Sequence, residues 1–462
     1  MAEQPDRGGE PAVVNLAEFI DAQPLGGFQI RVALLCASVL FFESFDSNAL
    51  GYIVPTLTRI WHLSPGAFGP IFASGFLGQL IGAVVAGPVA DRIGRKTVLV
   101  AATVEFALGA LATTQATSLQ FLLIVRLVTG LGIGAALPNA VALCSEYSPT
   151  ARRSTLLVLV LCGITLGSVA AGLIAAHVMP THGWQSIFWI GGLIPLALTP
   201  LLVAGLAESP YLLAIRGNRD AEIARSLGRI NTSAAATLAG ARFVLREERG
   251  AGLSGTHLFR GGRALPTILL WIIVFMNSFE IYVFASWLPT LARATGLTEQ
   301  ASVLTGVAMT VGGFLGTLAM GWLLDRFSIE RMMAVNYAAA AGFIALLALV
   351  AGDRRSMTLV SVAAGFCIVG GQTGANALIA YRHPTYIRAT ALAWALGAAR
   401  IASIIGPLLA GWIISLGWSS RSTFLVAVIP ALCASVTVLV LGERVWKSPA
   451  RATTGDPCRH CP

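Results

Sequence analysis

A tandem repeat constrains this chain more than any other feature. The stretch FFESFDSNALGYIVPTLTR, residues 41–59, returns as MNSFEIYVFASWLPTLAR from Met276, at a constant offset of 234 residues. Asn277 answers Glu43, Ser278 answers Ser44, Phe279 answers Phe45 and Glu280 answers Asp46, after which Pro289, Thr290, Leu291 and Arg293 repeat Pro55, Thr56, Leu57 and Arg59. GQLIGAVVAGPVADR, from Gly78 to Arg92, is echoed by GFLGTLAMGWLLDR, with Gly312, Gly316, Gly321, Asp325 and Arg326 standing for Gly78, Gly82, Gly87, Asp91 and Arg92. Shifted by one more residue, SPTARRST from Ser148 is matched by HPTYIRAT from His383. Such periodicity points to two copies of one folded unit.

Apolar runs fill both copies. Twelve of roughly spanning length, near 20 residues each, fall at 30–53, 66–90, 96–116, 119–144, 153–178, 184–206, 266–291, 302–324, 332–350, 358–380, 387–413 and 420–441. The 462 residues are 56% hydrophobic and 11% charged, with mean hydropathy +0.76, which no water-soluble globular chain of this length shows. The expectation is an all-α polytopic membrane protein with a leader (1–29), a six-helix half (30–206), a central loop (207–265), a second six-helix half (266–441) and a tail (442–462).

Loops on the side of the N-terminus carry Asp91, Arg92, Arg95 and Lys96, then Arg152 and Arg153, Arg326 and Arg331, Arg382 and Arg388. The opposite loops are nearly bare apart from Arg59, Arg293, Arg354 and Arg355. That bias places both termini in the cytoplasm of a bacterial-type inner membrane. The net charge of +9 then reflects topology and anionic lipid, with no nucleic-acid partner needed. The N-terminus lacks the pattern of a cleaved signal peptide. The central loop interleaves Arg216, Arg219, Arg225, Arg229, Arg242, Arg246 and Arg249 with Glu222, Glu247 and Glu248, which fits either short amphipathic helices on the inner membrane face or a plain linker.

Ionisable residues inside apolar runs are costly, roughly 2.5–3.5 kcal/mol each at a helix centre, and mark function or a structural ion pair. Glu43 and Asp46 share one helical face at i and i+3. Arg126 lies roughly 10 Å inside the fourth run and Arg400 roughly 20 Å inside the eleventh. Each half thus offers one buried cation, shaped to grip a carboxylate through two parallel hydrogen bonds. Permanent pairing with Glu43, Asp46 or Glu280 is the competing reading. If the arginines instead hold a substrate carboxylate and pair with the acids when empty, proton and substrate become mutually dependent. Glu105 has no motif around it and fits either packing or function. Gln372 and Asn376, at i and i+4, suit a ring hydroxyl or interhelical bonding equally. Trp287, Tyr282 and Trp394 suit stacking on an aromatic ring or packing. Cys458 and Cys461 are half a zinc site at best, so no metal is expected, and the remaining cysteines imply no disulfide framework. No Walker loop, nucleophile elbow or paired-His motif supports an enzyme or an ATP pump, and no cofactor is expected.

The loop GPVADRIGRK, Gly87 to Lys96, resembles the signature between the second and third helices of the major facilitator superfamily, whose architecture is a parallel repeat of two membrane halves. Asp91, Arg92 and Arg95, with the second copy at Asp325 and Arg326, read as gating charges that lock one arrangement and release it in another. The second copy departs from the pattern, with DRFSIER in place of DRIGRK. The leader NLAEFIDAQPLGGFQIRV running into the first helix, RLVTGLGIGAALPNAVALCSEYSPTARRS and PTYIRATALAWALGAARIASIIGPLLAG resemble the aromatic acid:proton symporter family of that superfamily. The resemblance implies proton-driven uptake of a benzoate-type acid, with functional roles for Glu43, Asp46, Arg126, Arg400 and, at the inner end of the fourth helix, Glu146. In this reading Glu43 and Asp46 couple protons, Glu146 joins the gate, and Asn277, Glu280, Gln372, Asn376 and Trp394 join the arginines at the substrate; the chain works as a monomer. The family's usual Asp-Gly-Phe-Asp is here Glu43-Ser44-Phe45-Asp46. Another small organic anion or sugar acid, an exporter, and a non-transporting sensor are the alternatives.

Overall fold

The computed structural model describes residues 13–231, 238, 240–245, 258–259 and 262–446. Arg246, Glu247, Glu248, Arg249, Cys458 and Cys461 lie outside the described residues. Among the described residues, twelve helices are long and apolar enough to cross a membrane. Lipid offers backbone groups no partners, so each span must satisfy its own N–H and C=O groups as a helix.

The first half supplies α2 (Gly27–Ile60), α3 (Gly69–Ile93, entered by a 3-10 turn at Pro65–Phe68), α4 (Arg95–Thr113), α5 (Leu119–Tyr147), α6 (Thr150–His182) and α7 (Gln185–Gly205), preceded by a short α1 (Leu16–Asp21). Two short helices follow, α8 (Pro210–Arg216) and α9 (Asp220–Gly228). The second half supplies α10 (Ala264–Ala294), α11 (Glu299–Arg326), α12 (Ile329–Leu349), α13 (Arg354–Arg382), α14 (Thr385–Ser415), α15 (Ser420–Val426) and α16 (Val428–Trp446). The run at 420–441 is one span, Ser420–Gly442, with a one-residue irregularity at Ala427 between α15 and α16. Pro430 has no N–H to offer the Val426 carbonyl, and the helix breaks at Ala427.

The helices meet along glycine seams that the repeat duplicates. A Cβ added at Gly78 or Gly82 of α3 would run into the carbonyls of Leu127 and Leu131 on α5. One at Gly312 or Gly316 of α11 would run into those of Val362 and Phe366 on α13. The glycines keep the offset of 234 and their partners the shifted one of 235, so the same main-chain contacts are built twice. Gly163 and Gly167 of α6 likewise lie against the carbonyls of Ala37 and Phe41 on α2. Small residues at this spacing let backbones touch.

The chain divides into two compact units. One holds the described residues up to 245 together with Phe284–Thr310 and Pro407–Trp418. The other holds the described residues of Leu253–Val283, Val311–Gly406 and Ser419–Pro462. The first unit therefore takes in one end of α10, α11 and α14. There Gly51 approaches the carbonyl of Ala285, Gly66 that of Gly411, and the Trp287 indole N–H donates to the Pro407 carbonyl at 3.1 Å.

At the opposite end of this unit, where the leader enters, the polar segments fold. Strand β1 (Val13–Asn15) pairs in parallel with β2 (Arg242–Val244). Leu16, Ile20, Leu213, Ile223, Leu227, Leu238, Ala241 and Phe243 form a small core beneath them. The leader and the central segment, read as separate pieces, are one element here, because each has an apolar stripe too short to be buried alone. Asp21 ties it to the bundle, accepting hydrogen bonds from the Thr150 backbone N–H at 2.7 Å and its hydroxyl at 2.9 Å.

Candidate functional site

Within the first unit, α2, α3 and α5 border a small, partly open cavity of about 30 Å³ lined by Asp46, Ser47, Phe72, Gln79, Arg126 and Thr129, among others. Asp46 is fully buried and Arg126 nearly so, and the Arg126 guanidinium donates to Asp46 Oδ2 at 2.9 Å. Its other terminal nitrogen donates to the Thr113 hydroxyl on α4, and its charge lies 5.1 Å from the centre of the Phe188 ring. Neither Arg126 Nε nor Asp46 Oδ1 has a hydrogen-bond partner among the described residues. The pair is therefore held at one point of contact, with a donor and an acceptor to spare.

Phe72 closes the side of the cavity away from the leader. Its ring meets Trp287 edge to face with centroids 5.2 Å apart. Trp287, fully buried against Phe72 and Pro407, is a packing residue in this structure. Beyond it Thr56 donates to Glu299, and Arg59 lies 3.7 Å from the same carboxylate.

Glu43 shares a helix with Asp46 and is half-buried where Asp46 is buried. Between them Ser44 meets the Ser168 hydroxyl at 2.7 Å, and Asn48 donates to it at 2.9 Å, which anchors α2 on α6.

In the second unit Asn277, Ser278, Gln372 and Asn376 form one network. Gln372 Oε1 accepts from Asn277 at 2.9 Å and from Ser278 at 3.1 Å, while its amide donates to Asn376 at 3.3 Å. Glu280 is buried on α10, and neither carboxylate oxygen has a side-chain hydrogen-bond partner among the described residues. It answers Asp46, yet the position answering Arg126 at the shifted offset is Ser361, which is fully buried. The duplicated acid lacks the duplicated cation. Arg400 is half-buried on α14. Trp394, half-exposed, stacks on Trp271 with centroids 5.7 Å apart and planes at 15°.

Two further ion pairs stand where loops on the side of the N-terminus meet helix ends. Arg95 at the start of α4 pairs with Glu146 near the end of α5, and Glu146 also accepts from the Ser209 hydroxyl. Glu208 caps the start of α4, accepting from the Lys96 N–H at 3.0 Å. Gly94 between the helices has φ +116, and a Cβ there would overlap Glu208, so this motif position needs glycine on both counts. Asp91 and Arg92 are exposed, and the Asp91 carbonyl accepts from Arg216 at 3.0 Å. In the second unit Asp325 is exposed and Arg326 lies over the Trp322 ring at 4.2 Å. The ion pair there joins Glu330, at the start of α12, to Arg382, at the end of α13, at 2.6 Å. It occupies the place of Arg95 and Glu146 with the charges exchanged. Reading for a repeated Asp-Arg pair missed it; reading for opposite charges at matching helix ends finds it.

Comparison with known proteins follows this geometry. The sequence profile described as Major Facilitator Superfamily matches residues 36–361 and 270–457. A gallate transporter of Pseudomonas putida is 37% identical over 442 residues, covering 95% of this chain and 98% of that protein. A 4-hydroxybenzoate transporter of Pseudomonas aeruginosa is 36% identical, covering 94% and 97% respectively. Among solved structures, an inward-facing bacterial homologue of the human lysosomal transporter Spinster superposes with a TM-score of 0.73 at 16% identity, over 92% of this chain and 100% of that one.

Proposed function

Because the chain belongs to the major facilitator superfamily, and so is an integral membrane transporter and not an enzyme, we propose that it imports a benzoate- or hydroxybenzoate-type acid together with protons. It works by alternating access in a bacterial-type cytoplasmic membrane, as a monomer with both termini inside. The two halves, 30–206 and 266–441, are the units of the repeat that the cycle uses. The names of the relatives support the aromatic acid. The loop charges support the orientation.

The observation that carries the reading is the buried Asp46–Arg126 pair facing a small cavity, which has to widen to admit an aromatic acid. An anion entering that space needs a partner charge, or it bears a severe desolvation cost. Arg126 holds Asp46 through one nitrogen and has Nε unoccupied, so a carboxylate can take the planar fork in place of Asp46. Displaced from its cation inside the protein, Asp46 is neutralised by a proton, and each ligand thereby favours the other's binding. Glu43 is the second proton-coupling acid. Arg400, Asn277, Glu280, Gln372, Asn376 and Trp394 are the contribution of the second half to substrate recognition. The Arg95–Glu146 pair, with Asp91 and Arg92 beside it and Asp325 and Arg326 in the second copy, gates the inner end.

The test is uptake of radiolabelled 4-hydroxybenzoate and benzoate into proteoliposomes on an imposed pH gradient. Accumulation should vanish when an ionophore collapses the gradient. Arg126→Lys keeps the charge and loses the fork, so it should weaken binding at least ~10-fold, and benzamide should bind poorly to the parent. Benzamide binding as tightly as benzoate, or parental affinity in Arg126→Lys, would refute the assignment of Arg126.

A further inference from the structure

We infer that Glu105 is a further proton-carrying residue of this transporter, the station between Asp46 and the inner end of the first unit. The inference rests on the proton-coupled reading above and adds to it a residue and a direction.

The seam between α4 and α5 carries the argument. The two helices run antiparallel and meet at three successive levels. Thr113 takes the hydrogen bond from Arg126, the Cβ position of Gly109 lies against the Thr129 side chain, and that of Gly132 lies against the Glu105 carboxylate. Glu105 thus sits on the same seam as the Arg126 guanidinium, displaced toward the Arg95 end. Six residues of α5 or eight of α4 separate the levels, roughly 9 to 12 Å at 1.5 Å per residue. Ten more residues, roughly 15 Å, lead from Glu105 to Arg95 at the start of α4.

Packing alone gives this carboxylate no reason to be there. Both Glu105 oxygens are buried with no side-chain partner among the described residues; the Gly132 backbone N–H faces them without reaching full hydrogen-bond geometry. An acid kept only for structure would be paired or hydrogen-bonded. Gly132 makes room for it, because any side chain at that position would occupy the space of the carboxylate.

The surrounding charges are few. Of the helices packed on α4, α5 brings Arg126 and Glu146, α2 brings Arg31, Glu43, Asp46 and Arg59, α3 brings Asp91 and Arg92, and α7 brings none. Asp46 and Arg126 act on Glu105 through space, after its burial and the Gly132 main chain. The state of the pair is therefore felt at Glu105, and a proton leaving Asp46 for the inner side meets this carboxylate next. The step is a relay carried by water across the roughly 9 to 12 Å between the levels: the Asp46 carboxyl gives its proton to water and returns to Arg126 as a carboxylate, water delivers a proton to the Glu105 carboxylate, which becomes the acid, and the proton then passes to water on the inner side.

The experiment is Glu105→Gln, which keeps shape and removes the titrating site, with Glu105→Asp as the rescue, both reconstituted as the full chain. Three readouts are taken with labelled 4-hydroxybenzoate: accumulation on an imposed pH gradient, exchange at equal pH on both sides, and substrate affinity. Glu105→Gln should lower gradient-driven accumulation at least ~10-fold while exchange and affinity change less than ~3-fold, because carboxyl chemistry and not substrate contact is lost. Glu105→Asp should recover a large part of the accumulation. Parental accumulation in Glu105→Gln overturns the inference, as does a folded Glu105→Gln that loses exchange and affinity along with accumulation, or failure of the Asp variant to rescue. A parent protein that does not respond to the pH gradient would instead refute proton coupling itself.

Discussion

Removing both members of the Asp46–Arg126 pair should destabilise the protein no more than removing either one alone. The side chains are 0% and 5% exposed, so Arg126→Gln strands a carboxylate, and Asp46→Asn strands a guanidinium, where water cannot reach either. Breaking a buried pair in this way costs about 3–5 kcal/mol. By contrast, Arg59 is 70% exposed beside Glu299, and pairs of that kind contribute about 0–1 kcal/mol. At about 2 °C per kcal/mol, the lower end for large domains, each single substitution should lower the melting temperature by roughly 6–10 °C. The double variant Asp46→Asn/Arg126→Gln places two neutral amides side by side and should lose no more than either single change. The coupling free energy should then be at least ~3 kcal/mol. Cys36, Cys144 and Cys367 are buried free thiols, so a thiol-reactive dye reports unfolding of the detergent-solubilised protein, with all variants scanned at one heating rate. A double variant that loses the sum of the two single losses would refute the energetic pairing of Asp46 with Arg126, and the substrate-exchange mechanism with it.

Two more outcomes follow from the seams and the inner ion pairs. Gly82→Leu drives a side chain into the Leu131 main chain and should cut the yield of monodisperse protein severely, whereas Gly87→Ala, with no atom within 4 Å of the new Cβ, should leave the melting temperature unchanged or slightly raised; size-exclusion profiles of both variants decide. Glu146→Gln, and more weakly Asp91→Ala, should slow transport several-fold while equilibrium substrate affinity stays within about threefold, since they act on a conformational equilibrium; a large loss of affinity in a folded Glu146→Gln protein would place that residue in the binding site instead.

The spans and their duplication were legible because lipid imposes one solution on every apolar run of spanning length, and the seams at Gly78 and Gly312 show the repeat operating at the level of single carbonyl contacts. Asp46 and Arg126 were legible for the same reason: a charge inside such a run stands out. Their uncharged partners were not. Thr113 and Phe188 look like any other residues of their helices, and spacing along one helix cannot say which neighbour it faces. Glu43 and Asp46 share a helical face, yet differ in burial because the other helices decide what covers each. The polar leader and central segment concealed a folded element, since its core is shared between stretches some 200 residues apart, with Val13 opposite Arg242. Glu105, lacking any motif, became interpretable once Gly132 was seen beneath it.

The carbonyl-on-glycine contacts offer a practical instrument. Where the Cβ position of Gly82 meets Leu131, that of Gly134 meets Gln79 and that of Gly167 meets Phe41, the main chains already touch, so these helices can neither approach further nor turn without losing contact along their whole length. The spacing between α3 and α5, or between α2 and α6, is therefore a built-in ruler. Spin labels on the outer surfaces of such a pair should report one invariant distance through the whole cycle, against which any change measured elsewhere in the protein can be calibrated.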